Sequence, residues 1–158
     1  MGRGVASAGA GGAPAVGCAV RRERQRVKAA HLVVDAMNVI GSRPTGWWRD
    51  RGAAVRGLIE RLQRLAAAEP CDVTVIVDGR PLRDTPEGVH AGVQVLYASR
   101  RGPNAADDRI IRFVAAHPDP HSLDVVTSDR NLSARAGALG ARVRGSRWLL
   151  ERLDEVGR

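Results

Sequence analysis

The sequence predicts an α/β fold with a central, mainly parallel sheet of about five strands covered by helices on both faces. Three observations lead to this prediction. Short runs of β-branched residues recur along the chain, and such runs are typical of strands buried on both faces of a parallel sheet. Segments with apolar residues at helical spacing alternate with these runs. Glycines and prolines mark the connections between them.

The first strand and the first long helix show both patterns. Residues 32–34 are apolar and run into Asp35, and Asn38 follows three positions later. A predicted loop over 41–50 contains two adjacent tryptophans and precedes a helix predicted over 52–68. The apolar stripe of that helix comprises Val55, Leu58, Ile59, Leu62, Leu65 and Ala66.

The rest of the chain continues the alternation of strands and helices. The predicted strands cover residues 72–77, 93–97, 123–127 and 141–143, and the predicted loops cover 80–92 and 98–104. One helix begins near Ala105, a second runs from Arg130 to Leu139 with Gly140 after its end, and a last helix, capped by Ser146, runs through Leu153.

Composition indicates one domain with an excess of positive charge. The chain has 158 residues, 44% of them hydrophobic, and a formal net charge of +8 at pH 7. No apolar run approaches the roughly 20 residues that a membrane-spanning helix needs, so no membrane partner is predicted. The two cysteines, Cys18 and Cys71, form neither a disulfide framework nor a metal knuckle, and the cytoplasm is the predicted location.

Residues 1–30 are predicted to be a disordered leader, and residues 31–156 the folded domain. The leader is rich in glycine and alanine and then basic; it holds six basic residues and one acidic residue, so only +3 of the net charge remains for the other residues. The order of its charged and small residues does not match a secretory signal. A basic arm that contacts nucleic acid is one interpretation, and a wrongly assigned start codon is another.

Five aspartates follow predicted strands or open a predicted helix. Asp35, Asp78 and Asp129 come directly after apolar strands, while Asp107 and Asp108 begin a helix that follows another strand. Because the carboxyl ends of parallel strands meet at one edge of a sheet, we expect these acids to converge there. Crowded carboxylates repel one another unless a cation neutralises them, and oxygen ligands suit Mg²⁺ or Mn²⁺. Such a centre suits hydrolysis of a phosphodiester bond.

Each acid also has a structural interpretation. Asp107 or Asp129 at a helix start would be a cap or a favourable charge near the helix dipole, and the Asp-Gly pair at 78–79 would be a turn. Their joint placement on one edge favours the metal centre. Phosphatases with an aspartyl nucleophile are excluded, because they need a second Asp where this chain has Met37. They and phospho-accepting receiver domains also need a lysine at the edge, and the one lysine, Lys28, precedes the first strand.

Four segments resemble motifs of the NYN domain, a branch of the PIN-like ribonucleases. Residues 33–40 (Val-Val-Asp-Ala-Met-Asn-Val-Ile) resemble its opening Asp-x-x-Asn motif, and residues 106–111 resemble its Ala-Asp-Asp-x-Ile segment. Residues 125–129 resemble its Thr-Ser-Asp segment, and residues 77–79 match the end of its second strand. The resemblance covers roughly residues 31–155 and is closest to the YacP-like branch. It implies a three-layer α/β/α PIN-like (Rossmann-like) fold.

The resemblance also implies a metal-dependent endoribonuclease and a role for each acid. Asp35, Asp107 and Asp129 would be the principal ligands of Mg²⁺ or Mn²⁺, and Asp108 an additional acidic ligand. Asn38 would orient Asp35 or the scissile phosphate. The remaining acid, Asp78, would be a further ligand or would serve the architecture of the edge.

RNA is the predicted partner, and a homodimer is left open. Six residues around the acids are candidate RNA contacts: Arg100, Arg101, Trp47, Trp48, Ser128 and Arg130. The arginines would hold phosphates and the tryptophans would stack on unpaired bases. A solvated loop and a cover for the next helix are the structural alternatives. Two other functions remain open: a non-catalytic RNA- or ribosome-associated binding module of the same fold, and a toxin-like PIN nuclease.

Overall fold

A six-stranded sheet forms the centre of the part of the chain that a computed structural model describes, residues 30–99 and 102–158. Its strands are β1 (Ala30–Asp35), β2 (Cys71–Asp78), β3 (Gly88–His90), β4 (Val93–Ala98), β5 (Leu123–Val126) and β6 (Arg142–Arg144). They lie in the order β3-β4-β2-β1-β5-β6, and every pair is parallel except β3 with β4. The predicted α/β class with a mainly parallel sheet is therefore confirmed.

Helices cover both faces of this sheet, which makes three layers. They are α1 (Ala36–Gly41), α2 (Arg51–Ala68), α3 (Ala105–Ala116), α4 (Arg130–Ala138) and α5 (Ser146–Val156), with 3₁₀ turns at Trp47–Arg49 and Pro120–Ser122. Successive residues of a strand face opposite sides of the sheet. Val34 accordingly lies in one apolar core with Leu62 of α2, while Val33 lies in the other with Ile110 of α3 and Leu132 of α4.

Two elements lie where the sequence analysis predicted none. β3 falls within the predicted loop over 80–92, and it has only three residues, with Val89 72% exposed. It joins the sheet through backbone pairing with β4, so its sequence shows no alternation of apolar and polar residues from which a strand could be predicted. The helix α1 has six residues, of which only Ala36 and Val39 are buried, and is too short to display a helical period.

At the helix ends, the predicted role of Gly140 is confirmed and the predicted role of Ser146 is wrong. Gly140 follows α4 with φ +97°, as predicted for the residue after a helix end. The predicted cap at Ser146 is wrong, because Gly145 is the N-cap residue and Ser146 is the first residue of α5. Of the predicted leader, residues 1–29 lie outside the described residues, and Ala30 is the first residue of β1. No helix of the described part is long and apolar enough to cross a bilayer.

The topology singles out the carboxyl end of β1. From β1 the chain proceeds through α1 and α2 to β2 on one side, whereas after β4 it passes through α3 to β5 on the other side of β1. The two connections leave the sheet on opposite faces and open a crevice where β1 and β5 end. In open α/β sheets, this switch point is where ligands bind.

Candidate active site

Three aspartates reach the crevice from separate elements. Asp35 is the last residue of β1 and only 6% exposed, Asp107 lies in the first turn of α3, and Asp129 is the N-cap residue of α4. Asp107 and Asp129 raise the pKa of Asp35, and Asp129 also raises the pKa of Asp107. The structure thus brings these three predicted site residues into one electrostatic group.

Asp35 is the most perturbed acid of the group. Burial, and to a smaller extent the charges of Asp107 and Asp129, raise its pKa from 3.8 to about 6. The Thr127 hydroxyl, which donates to Asp35 Oδ2 at 3.0 Å, and the backbone amide of Asn38 oppose the rise but do not cancel it. A buried carboxylate with a raised pKa in a crevice is typical of a functional group rather than of a structural ion pair.

Asp107 shares this environment. Burial is the largest cause of its raised pKa, followed by the charge of Asp129, while Arg135 acts in the opposite direction. The carboxylates of Asp108 and Asp78 raise it further. All five predicted acids therefore lie within electrostatic reach of this edge.

Thr127 connects two of the acids. It is 1% exposed; its hydroxyl donates to Asp35 and accepts a hydrogen bond from the backbone N–H of Asp129 at 3.1 Å. The Asp129 carboxylate in turn accepts from the backbone N–H of Leu132 at 2.8 Å and caps α4. The structural interpretation of Asp129 is therefore correct for one of its two oxygens.

Asn38 ties three strand ends together. Its Oδ1 accepts hydrogen bonds from the Ser128 backbone N–H and from the Ser146 hydroxyl, both at 2.7 Å. The Ser146 backbone N–H closes the triangle by donating to Ser128 Oγ at 3.0 Å. Asn38 follows β1, Ser128 follows β5 and Ser146 follows β6, so the tie fixes the turns that carry Asp35 and Asp129. Neither Thr127 nor Ser146 was predicted as a site residue: Thr127 is the first residue of the Thr-Ser-Asp segment, and Ser146 was predicted only as a helix cap.

Asp108 and Asp78 lie at the periphery of the group. The Asp108 side chain is exposed and forms an ion pair with Arg135 at 3.2 Å. Asp78 is exposed at the end of β2, where its backbone carbonyl accepts from the Arg51 guanidinium. Gly79 follows with φ +104°, a conformation that favours glycine, and the chain bends there after β2.

Of the six candidate RNA contacts, four lie in the described part of the chain, and Arg100 and Arg101 lie outside it. Trp48 is 62% exposed and packs edge-to-face on the half-buried Trp47, with ring centroids 6.3 Å apart. The tryptophans come just before α2, whose first residue contacts the end of β2, so they belong to the same edge as the acids. Ser128 and Arg130 are also exposed beside Asp129.

The chemistry of the donor set fits a hard divalent cation. Asp35 and Asp107, whose pKa values neighbouring carboxylates raise, gain from a nearby positive charge. Within residues 30–99 and 102–158, no group of three or more His, Cys, Asp or Glu side chains is arranged so that all could hold one metal ion. Mg²⁺ needs fewer protein ligands than that, because this ion keeps several waters and takes few carboxylates directly. Asp35, Asp107 and Asp129 are the residues that would hold it.

Comparison with known proteins agrees with this geometry. The family model described as the YacP-like NYN domain matches residues 32–158. The crystal structure of a tryptophan-to-leucine mutant of Rae1 (YacP) from Bacillus subtilis is similar, with a TM-score of 0.66 and 23% identity over 82% of this chain and 77% of that chain. A second Rae1 (YacP) crystal structure from Bacillus subtilis has a TM-score of 0.57 and 23% identity over 80% of this chain and 75% of that one.

The two kinds of match carry different weight. At 23% identity, the likeness to the solved structures shows the fold alone, and no curated protein sequence matches the chain significantly. The family match spans most of the chain and contains every acid described above. The chain therefore belongs to the YacP-like NYN domain family, which has a PIN-like nuclease fold.

Proposed function

We propose that this protein is a metal-dependent endoribonuclease that hydrolyses RNA phosphodiester bonds with Mg²⁺ or Mn²⁺ at the carboxylate edge. The observation that carries the proposal is the raised pKa of Asp35 and of Asp107, to which the Asp129 carboxylate contributes in both cases, at the switch point of the sheet. Repulsion among these acids is relieved when a cation binds, so the edge is prepared for an ion. Membership of a nuclease domain family supports RNA as the substrate.

The residues of the chain have separate tasks in this proposal. Asp35, Asp107 and Asp129 hold the ion, which when bound supplies an activated water and neutralises charge on the phosphate. Thr127 fixes the orientation of the Asp35 carboxylate, and Asn38 fixes the turns on either side. Both are positioning residues.

The exposed ring of Trp48 supports a substrate with unpaired bases. An indole that is 62% exposed at the active edge offers a flat face on which a base can stack. Trp47 supports the Trp48 ring from the side and is itself half-buried. This division gives Trp48 the contact with RNA and Trp47 the support of the loop.

The test is cleavage of a labelled single-stranded RNA with and without metal. Wild-type protein should cut in Mn²⁺ or Mg²⁺, leave 5′-phosphate and 3′-hydroxyl ends, and stop in EDTA. Asp35→Asn and Asp129→Asn should abolish cleavage. Glu155→Gln, which removes an exposed acid at the far end of α5, should cleave like the wild type.

Two results would contradict the proposal. Undiminished cleavage by Asp35→Asn would remove the carboxylate edge from the mechanism. Retarded migration of RNA without cleavage in any metal would instead favour the non-catalytic binding module. That module is the second candidate function, because no group of three or more His, Cys, Asp or Glu side chains in the described residues is arranged to hold one metal ion.

A further inference from the structure

We propose that two clefts on either side of α3 extend the carboxylate edge into a binding groove for single-stranded RNA, with Arg112 and Arg135 binding phosphates next to the one that is cut. This inference rests on the proposed RNA-cleaving function and adds to it the path of the substrate. It also assigns roles to two arginines that follow no strand and belong to no motif.

The first cleft lies between α3 and α4. It has a volume of about 580 Å³, and its walls include Asn104, Asp108, Ile111, Arg112 and Arg135. Asp108, which lines the cleft, is the residue after Asp107 in the first turn of α3, so the cleft lies next to the acid group. Its size is within the range that binds small molecules, and the mixture of an apolar floor with two guanidinium groups suits a nucleotide.

The second cleft lies on the other side of α3, against β4. It has a volume of about 500 Å³, and its walls include Tyr97, Ser99, Arg112 and Phe113. Arg112 is exposed and borders both clefts. A guanidinium group between two cavities is placed to bind the phosphate that joins two nucleosides, one on each side.

The arginines of α3 differ in what they already contact. Arg109 is occupied, since its guanidinium donates to the Tyr97 carbonyl and to the Glu87 carboxylate. Arg112, one turn further on the helix, has no hydrogen bond or ion pair to any described residue. Its five N–H donors are therefore available to an anion from outside.

Arg135 forms one ion pair but keeps hydrogen-bond donors that could bind a phosphate. Asp108 binds one of its terminal nitrogens at 3.2 Å, and the two side chains remain 41% and 60% exposed. A planar guanidinium can present its remaining donors to a phosphate while one edge is anchored. The anchor also keeps this positive charge beside the acids, where the next phosphate of a bound RNA chain would lie.

The experiment measures RNA binding in EDTA, where cleavage cannot interfere. A fluorescently labelled single-stranded RNA is titrated with wild type, Arg112→Gln, Arg135→Gln and Arg64→Gln, and anisotropy is read at several salt concentrations. Arg64 is the matched control, because it is exposed on α2 at the opposite face of the sheet. Thermal unfolding of each variant confirms that the fold is retained.

The expected result separates the cleft variants from the control. Arg112→Gln and Arg135→Gln should each weaken binding about tenfold. Each should also reduce the slope of log affinity against log salt concentration by roughly 0.7 for every phosphate that the arginine binds in the wild type. Arg64→Gln should change affinity by less than about twofold.

The failure of this inference can be told apart from the failure of the proposed function. If both cleft variants bind RNA like Arg64→Gln, or if the wild type has no affinity for RNA, the groove is overturned, even where metal-dependent cleavage is observed. If the cleft variants lose affinity while the wild type never cleaves RNA in any metal, the groove stands and the nuclease proposal fails.

Discussion

Replacing Asp35 by asparagine should stabilise the fold at neutral and alkaline pH, and under the proposed function it should also abolish cleavage. Burial and two neighbouring carboxylates raise the pKa of Asp35 from 3.8 to about 6. The folded state therefore holds this proton more tightly than the unfolded chain does. A shift of about two pKa units corresponds to about 3 kcal/mol, which the fold loses as the pH rises through about 6 and the carboxylate ionises.

Asparagine removes that cost because it stays neutral. Its side-chain oxygen can still accept the hydrogen bond from the Thr127 hydroxyl, which lies 3.0 Å from Asp35 Oδ2, while the bond from the Asn38 backbone N–H is lost and reduces the gain. The free energy of unfolding of Asp35→Asn should exceed that of the wild type by up to about 3 kcal/mol at pH 8, and by less than about 1 kcal/mol at pH 4. Other titrating groups cancel in this comparison, since both proteins carry them.

The assay is urea-induced unfolding in EDTA at a series of pH values between 4 and 8. The reasoning is refuted if the two proteins show the same dependence on pH, or if the variant is the less stable one at pH 8. Asp124→Asn is the matched control. Asp124 is also buried, at 4% exposure, but lies 2.8 Å from the guanidinium of Arg142. Removing its charge should leave stability unchanged or lower, because an ion pair is broken.

Three further results follow from the site. Mn²⁺ should raise the unfolding temperature, measured in thermal scans, more at pH 7.5 than at pH 5.5. The reason is that the cation binds the ionised carboxylates of Asp35 and Asp107, and the pKa of each is raised. An increase that does not depend on pH would contradict an ion shared by these two acids. Asn38→Ala should lower the free energy of unfolding by about 1–3 kcal/mol, measured in urea, because the Ser128 N–H and the buried Ser146 hydroxyl would have no acceptor. Trp48→Ala should weaken RNA binding several-fold, measured by anisotropy, without loss of stability, whereas Trp47→Ala should lower the unfolding temperature. If both variants change binding and stability equally, the separate roles of the two rings are contradicted.

The acids could be predicted from the sequence because each lies next to a local pattern of strand or helix residues. Asp35 ends a run of buried strand residues and Asp129 follows another run three positions after its last strand residue, and such runs lead to one edge of the sheet. Asp107 lies in the first turn of a helix that follows a strand. Local pattern and parallel topology suffice for this inference, and the structure brings all three together.

The contacts that hold the acids in place have no such local signal. Asn38 meets Ser128 and Ser146 across 90 and 108 residues of sequence, and no periodicity connects them. The sequence pattern of a serine before an apolar stripe favours a cap at Ser146, but the hydroxyl turns to Asn38 instead. The pairing of Asp108 with Arg135 likewise depends on how α3 packs on α4, which strand and helix patterns do not determine.

The hydrogen bonds of Asn38 also make the first turn of the site dependent on the last helix of the described residues. Asn38 follows β1 and one of its partners, Ser146, begins α5, so the turn after Asp35 is fully fixed only when residue 146 has joined the fold. A chain still growing has Asp35 long before it has Asp129 or the hydroxyl that secures the first turn. A chain that lacks residue 146 therefore contains Asp35, Asp107 and Asp129 but not every contact that fixes the turn after Asp35.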